Sequence, residues 1–293
     1  MTIYFGILLA LACAFTTNLA FLYKHRGACA APAVEVSHPL RSARALFASR
    51  WFAVGMLIAV GAWGAHVGAL ALAPMSVVQA VLAGGVVLLA VMAERLFGFR
   101  VGPRQWFGLG LTALGLMLLG LTLPAIHSAH SSFSLPGMIA FEGGFVVVGA
   151  LLIMGKRIGA PDHHHGVMLG AAAGFLFGVS DVAIKAITGL VGSGGLPGAL
   201  LSPWTAVALA ASVAAFYASA KGLQDGEAVP VIALTGVAAN VAGIAGGIVV
   251  FGDPLPGTAL GMVVQGVAFM LVIVAAALTP APLRAARSAA APA

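Results

Sequence analysis

In the stretch AAAGFLFGVSDVAIKAITG, residues 171–189, an apolar run long enough to cross a bilayer carries Asp181 and, one helical turn later, Lys185. Either ion at the centre of the hydrocarbon costs at least about 2.5 to 3.5 kcal/mol, so charges at that depth mark solute paths or proton relays unless they satisfy each other. Advancing about 100° per residue from Gly170 places Gly174 and Gly178 at about 40° and 80°, and Asp181 and Lys185 at about 20° and 60°. The charges therefore share the face of a G-x-x-x-G-x-x-x-G stripe, which lets a neighbouring helix approach closely. That face is expected to look into a bundle and not at lipid. Gly6, Ala10, Ala14 and Asn18 repeat the arrangement, and Gly236, Asn240, Gly243 and Gly247 approximate it.

The elements that carry these residues follow from composition. Of 293 residues, 61% are hydrophobic and 8% charged, with a mean hydropathy of +1.08. Long continuous apolar runs, without the short alternating segments of a barrel, imply an all-α polytopic membrane bundle. Nine spans are expected: 3–23, 51–73, 75–93, 105–123, 135–154, 167–191, 203–221, 228–250 and 257–278. The first begins without a basic leader and ends in Lys24-His25-Arg26, the reverse of a cleavable signal, so it is expected to be retained. With the N-terminus outside, all of the 14 Lys and Arg residues except Lys185 fall in cytoplasmic loops or the cytoplasmic tail. The +6 charge is then a sign of topology in a multi-pass plasma-membrane protein, with no nucleic-acid partner implied. In the loop 27–49, Leu40, Ala43 and Phe47 share a helical face beside Arg41 and Arg44, which suits a helix on the membrane surface, with a disordered basic linker as the alternative. Residues 279–293 read as a disordered cytoplasmic tail.

Depth along these spans, at about 1.5 Å per residue, puts Lys185, Glu142 and His66 roughly 10 Å from the outer surface, Gln265 at about 12 Å and Asp181 at about 15 Å. Gln79 lies further out, Asn240 near the midplane and Asn18 closer to the cytoplasm. The seven residues Glu142, Asp181, Lys185, His66, Gln265, Asn240 and Asn18 are thus the candidate substrate-binding or proton-coupling set. For Asp181 and Lys185 the competing reading is mutual neutralisation at i and i+4; for His66, a hydrogen-bonded core histidine; for Asn18, Gln79, Asn240 and Gln265, interhelical glue.

Other polar clusters carry less. Asp162-His163-His164-His165 has metal-ligand types, but three adjacent imidazoles cannot all reach one ion from a regular backbone, so a solvated loop is expected and no metal site is assigned. His127 and His130 lie in an external loop. Cys13 and Cys29 make no disulfide framework. No H-E-x-x-H, G-x-S-x-G or P-loop occurs, so neither an enzyme nor a cofactor is expected.

Two four-helix units, 3–123 and 166–278, flank a linking helix at 135–154 within one membrane domain. AFTTNLAF aligns with FGVSDVAI, setting Asn18 opposite Asp181; Trp51 and Trp204 open the second helix of each unit; Gly110 and Gly115 are spaced as Gly261 and Gly266. An odd span between the copies would invert one relative to the other. The AERLFGFRVGPRQWFGLGLTALGLMLLGL passage and its counterpart FGDPLPGTALGMVVQGVAFMLVIVAAAL resemble the drug/metabolite transporter superfamily with its EamA-type repeats, although Asp253 stands where a glutamate is usual. The nine-span layout is most similar to the NIPA-like magnesium-transporter branch. The resemblance implies a secondary transporter built as an inverted repeat, with the solute site between the halves. Two carboxylates and one ammonium leave one net negative charge, suited to a small cationic or zwitterionic solute or an exchanged proton. A divalent-cation transporter is the second reading, although Lys185 would oppose the oxygen-rich site that magnesium prefers. A non-transporting membrane scaffold is the third. A second copy of the chain remains open as a partner beside the solute and the bilayer.

Overall fold

The computed structural model describes residues 2–35, 37–98, 132–253 and 255–277, with isolated positions between 102 and 118. Every regular element among them is helical: α1 (Thr2–Cys29), α2 (Pro39–Ala48), α3 (Arg50–Leu72), α4 (Met75–Phe97), α5 (Leu135–Ile153), α6 (His165–Leu200), α7 (Pro203–Asp225), α8 (Ala228–Val249) and α9 (Ala259–Ala277), with short 3₁₀ turns at Gly155–Ile158 and Asp162–His164. Among the described residues, six stretches are long and apolar enough to cross a membrane: Ile3–Cys29, Arg50–Leu72, Leu135–Ile153, His165–Val191, Pro203–Asp225 and Ala228–Val249. Helices α4 and α9 stand where the third and ninth spans are expected. The fourth, 105–123, falls outside the described residues except at single positions, as do His127, His130, the side chains of Gln79 and His163, and the tail 279–293.

Two boundaries differ from expectation for local reasons. α1 runs on through Lys24, His25 and Arg26, because Arg26 stacks over the Trp51 ring at 4.1 Å, Lys24 over Phe21 at 3.8 Å, and Gly27 allows the backbone of Phe52 to come close. α6 continues past Val191 but breaks at Gly195, whose φ of 70° and ψ of 174° are open to glycine and closed to most residues, just ahead of Pro197.

The 27–49 loop is not a disordered linker. Gln224 on α7 donates to the carbonyls of Ala28 and Pro32 at 3.0 and 2.9 Å and accepts from the Val34 amide at 2.8 Å, while the Tyr217 hydroxyl donates to Pro39. α2 does form, but its buried residues are Ser42 and Leu46, with Leu40 84% exposed. On the opposite side the Ser42 hydroxyl ties down Glu35, while Phe47 turns edge-on to Phe52, and Leu40 stays on the outer face.

Helix directions can be followed from the close contacts. α3 runs antiparallel to α1, with Gly55 against Ala20 and Lys24, and Gly6 against Ala73. α4 runs parallel to α1, with Gly85 against Ala14 and Asn18. In the second half, α7 lies antiparallel to α6, with Gly222 against Gly166 and Gly170, and α8 lies parallel to α6 along the glycine stripe. Cβ atoms at Gly174 and Gly178 would overlap the Thr235 carbonyl and the Ala242 side chain, and one at Gly170 would sit 2.9 Å from the Val231 oxygen. α3 and α6 run parallel, since His66 meets Asp181 while Lys185 reaches Leu70 and Ala73. Leu89, Ala90 and Ala93 of α4 share a core with Val229, Ile232 and Ala233 of α8, joining the halves a second time.

Replacing Gly174 by valine is expected to lower the thermal unfolding midpoint in detergent, by an overpacking cost of about 1 to 3 kcal/mol. Gly236→Ala, where a Cβ meets nothing within 4 Å, should leave the midpoint nearly unchanged.

Candidate functional site

The parallel seam between α3 and α6 brings His66 to Asp181 and Lys185 to the end of α3. His66 faces Asp181 because each lies on a helix side lined by small residues: Ala62, His66, Ala69 and Leu70 are buried on α3, and Gly178, Val182, Lys185 and Ala186 on α6. His66 Nε2 stands 3.0 Å from Asp181 Oδ1, with the two side chains only 9% and 16% exposed. The distance is that of an ion pair, yet neither ring nitrogen attains hydrogen-bond geometry with a described residue. The contact is thus held by proximity and charge without an aligned N–H, and full attraction requires a protonated ring. The Cys13 thiol of α1 lies beside the same imidazole, so three helices meet there.

One turn further along, Lys185 is completely buried and donates to the carbonyl oxygens of Leu70 and, at 3.2 Å, Ala73. These are orphan acceptors at the C-terminal end of α3, where a cation also complements the helix dipole. Lys185 therefore caps a helix of the opposite half. The carboxylate whose charge reaches it is the buried Asp253. Asp181 and Lys185, spaced for mutual pairing, instead divide between two partners on α3.

Among the other candidates, Asn18 donates to Gly85 O at 3.0 Å and to Ala14 O at 2.8 Å, fastening α1 to α4. Glu142 is 7% exposed on α5, and its Oε1 finds no hydrogen-bond partner among the described residues. Asn240 and Gln265 are buried on α8 and α9. In the His-rich loop, Asp162 pairs with Lys156 at 3.2 Å, and His165 stands 3.7 Å from Asp225, which also holds Lys221.

A groove of about 280 Å³ runs between α3 and α7, with α1 and α6 behind it. Lys24 and Leu223 line one end, Trp63 and Phe177 the other. Trp63 precedes His66, and Phe177 precedes Asp181, by one helical turn. Ser212 on the wall bonds the Ser180 hydroxyl at 2.8 Å, adjacent in sequence to Asp181. The groove thus ends one turn short of the ion pair. Lys24, Ser180, Ser212 and Cys13 were not singled out from sequence; Lys24 was counted as a loop residue because the apolar run ends before it, although α1 does not.

Against this geometry the chain was compared with known proteins. No family model matches it, and no solved structure does. A curated protein does. "Probable magnesium transporter NIPA9" of Arabidopsis thaliana is 24% identical over 278 residues, which cover 92% of this chain and 79% of the relative. That likeness and the six apolar helices support a multi-pass membrane protein.

His66→Ala and Asp181→Ala are expected to be non-additive in unfolding free energy, with a coupling of about 0.5 to 3 kcal/mol. A double-mutant cycle followed by denaturation in detergent measures it; additivity would show that the 3.0 Å contact carries no energy.

Proposed function

We propose that this chain is a secondary transporter that carries a small cationic or zwitterionic solute through the seam between two inverted halves. The observation that carries the reading is the His66–Asp181 contact, which joins α3 to α6 one turn beyond the end of a groove. Support for the inverted repeat comes from helix direction. α1, α3 and α4 have the same mutual senses as α6, α7 and α8, and the parallel run of α3 and α6 makes α1 antiparallel to α6, its counterpart. Support for a nine-span transporter of the drug/metabolite type comes from the quoted motifs and from a relative named as a transporter.

Mechanistically, separating α3 from α6 would strand Asp181 away from His66. Removing one partner of a buried pair costs about 3 to 5 kcal/mol. A proton on Asp181, or a solute ammonium beside it, removes that penalty, so the halves part only when the carboxylate is occupied. Glu142, buried and without a hydrogen-bond partner at Oε1 among the described residues, is the second acid able to exchange a proton. With the basic termini of the helices in the cytoplasm, the Lys24 end of the groove faces inward and Lys185 fastens the outer side.

Magnesium transport is the second reading, favoured by the printed name of the relative. The seam weighs against it: magnesium takes an octahedral shell of oxygens and several waters, whereas Asp181 is shared with an imidazole and the ammonium of Lys185 lies one turn away.

Proteoliposomes containing the purified chain separate the two. Under an imposed pH gradient, labelled amines and amino acids are expected to accumulate, with Asp181→Asn and Glu142→Gln slowing uptake by about tenfold or more, equivalent to about 1.4 kcal/mol. Unchanged flux in both variants would reject the site. Uptake confined to magnesium, read with an entrapped indicator, would establish the second reading instead.

A further inference from the structure

The groove between α3 and α7 has a composition and a length that the transport reading does not require. Its walls are Phe52, Met56, Val60 and Trp63 on one side and Phe216 and Leu223 on the other. From Phe52 to Trp63 is eleven residues of helix, about 16 Å at 1.5 Å per residue. One leaflet of a bilayer has about the same hydrocarbon depth, half of roughly 30 Å. Between its ends the lining is apolar except for Ser212 and Ser219 on α7, and on the α3 side Val60 is 61% and Trp63 57% exposed, continuing with Leu57 at 74% into an apolar outer surface.

The end at Lys24 is different. The ammonium of Lys24 lines the groove, resting over the Phe21 ring, and forms no ion pair among the described residues. Beside it, Tyr23 stacks on Trp51 with ring centroids 5.6 Å apart, and Arg26 covers Trp51. Aromatic rings and long basic side chains at one level of a bundle mark the interface between hydrocarbon and headgroups. An ammonium opening onto a slot one leaflet deep matches one class of molecule, an amphiphile with an anionic head and a straight apolar chain.

We propose that the α3–α7 groove is a binding site for an anionic phospholipid of the surrounding bilayer, its phosphate at Lys24 and one acyl chain lying along Met56, Val60 and Trp63 toward the His66–Asp181 contact. A soluble anion would use Lys24 but leave the apolar slot unfilled; a zwitterionic lipid would fill the slot but leave the Lys24 charge less well neutralised. The site stands or falls independently of what the chain transports.

Native mass spectrometry of the detergent-solubilised full chain, supplied with equal amounts of phosphatidylglycerol and phosphatidylcholine, tests this. Retained adducts are expected to favour phosphatidylglycerol by about tenfold, one tenfold step being about 1.4 kcal/mol. Lys24→Gln should bring the ratio to near unity, and Val60→Trp, a change at an exposed position that narrows the slot, should reduce both adducts while leaving the thermal midpoint intact. Equal retention of the two lipids by the wild type, an undiminished preference in Lys24→Gln, or displacement of phosphatidylglycerol by inorganic phosphate alone would each overturn the proposal. None of these readouts involves flux.

Discussion

Inside a bilayer, helices gain no hydrophobic energy from leaving lipid for one another, so a bundle of this kind depends on how closely its backbones can approach. α6 is the helix around which that constraint is met. Gly170, Gly174 and Gly178 lie against α8, Gly166 and Gly170 against α7, and the remaining sides receive α3 and α5. Beyond the glycines, Asp181 and Lys185 meet α3, although the wheel sets them on the glycine face, so the neighbour of that face changes from α8 to α3 along the helix.

That arrangement spends each buried ion across the boundary between halves. Lys185 belongs to the second half and serves carbonyl groups of the first; Asp181 belongs to the second and meets His66 of the first. Each thus ties α6 to α3 and not only to its own helix. Asn18, in contrast, binds α1 to α4.

Much of the fold was legible because it rests on length and apolarity, which a single sequence states directly. The glycine face of residues 170–178 was read correctly as a place of close helix approach, for a steric reason independent of the partner. Which helix approached was not legible, because the neighbours of each helix depend on the whole topology and not on its own sequence. The i,i+4 spacing of Asp181 and Lys185 suggested a local pair, yet orphan carbonyls at the end of α3 offered Lys185 a more dehydrated and geometrically fixed set of acceptors. Cys13 was set aside because it and Cys29 make no disulfide framework, whereas its neighbour in the fold is an imidazole 53 positions away in the chain. In the α2 segment a helix was readable from its periodicity, whereas the link from Ser42 to Glu35 was not.

The three hydrogen bonds of Gln224 to the chain between Ala28 and Val34 have a mechanical meaning. They lash the end of α1 to the end of α7, so one amide side chain forms a noncovalent strap between units that also meet at the Lys185 and His66–Asp181 contacts. Any rocking of those units must either rotate about this lashing, amplifying small angles into larger displacements at the far rim, or release all three bonds together.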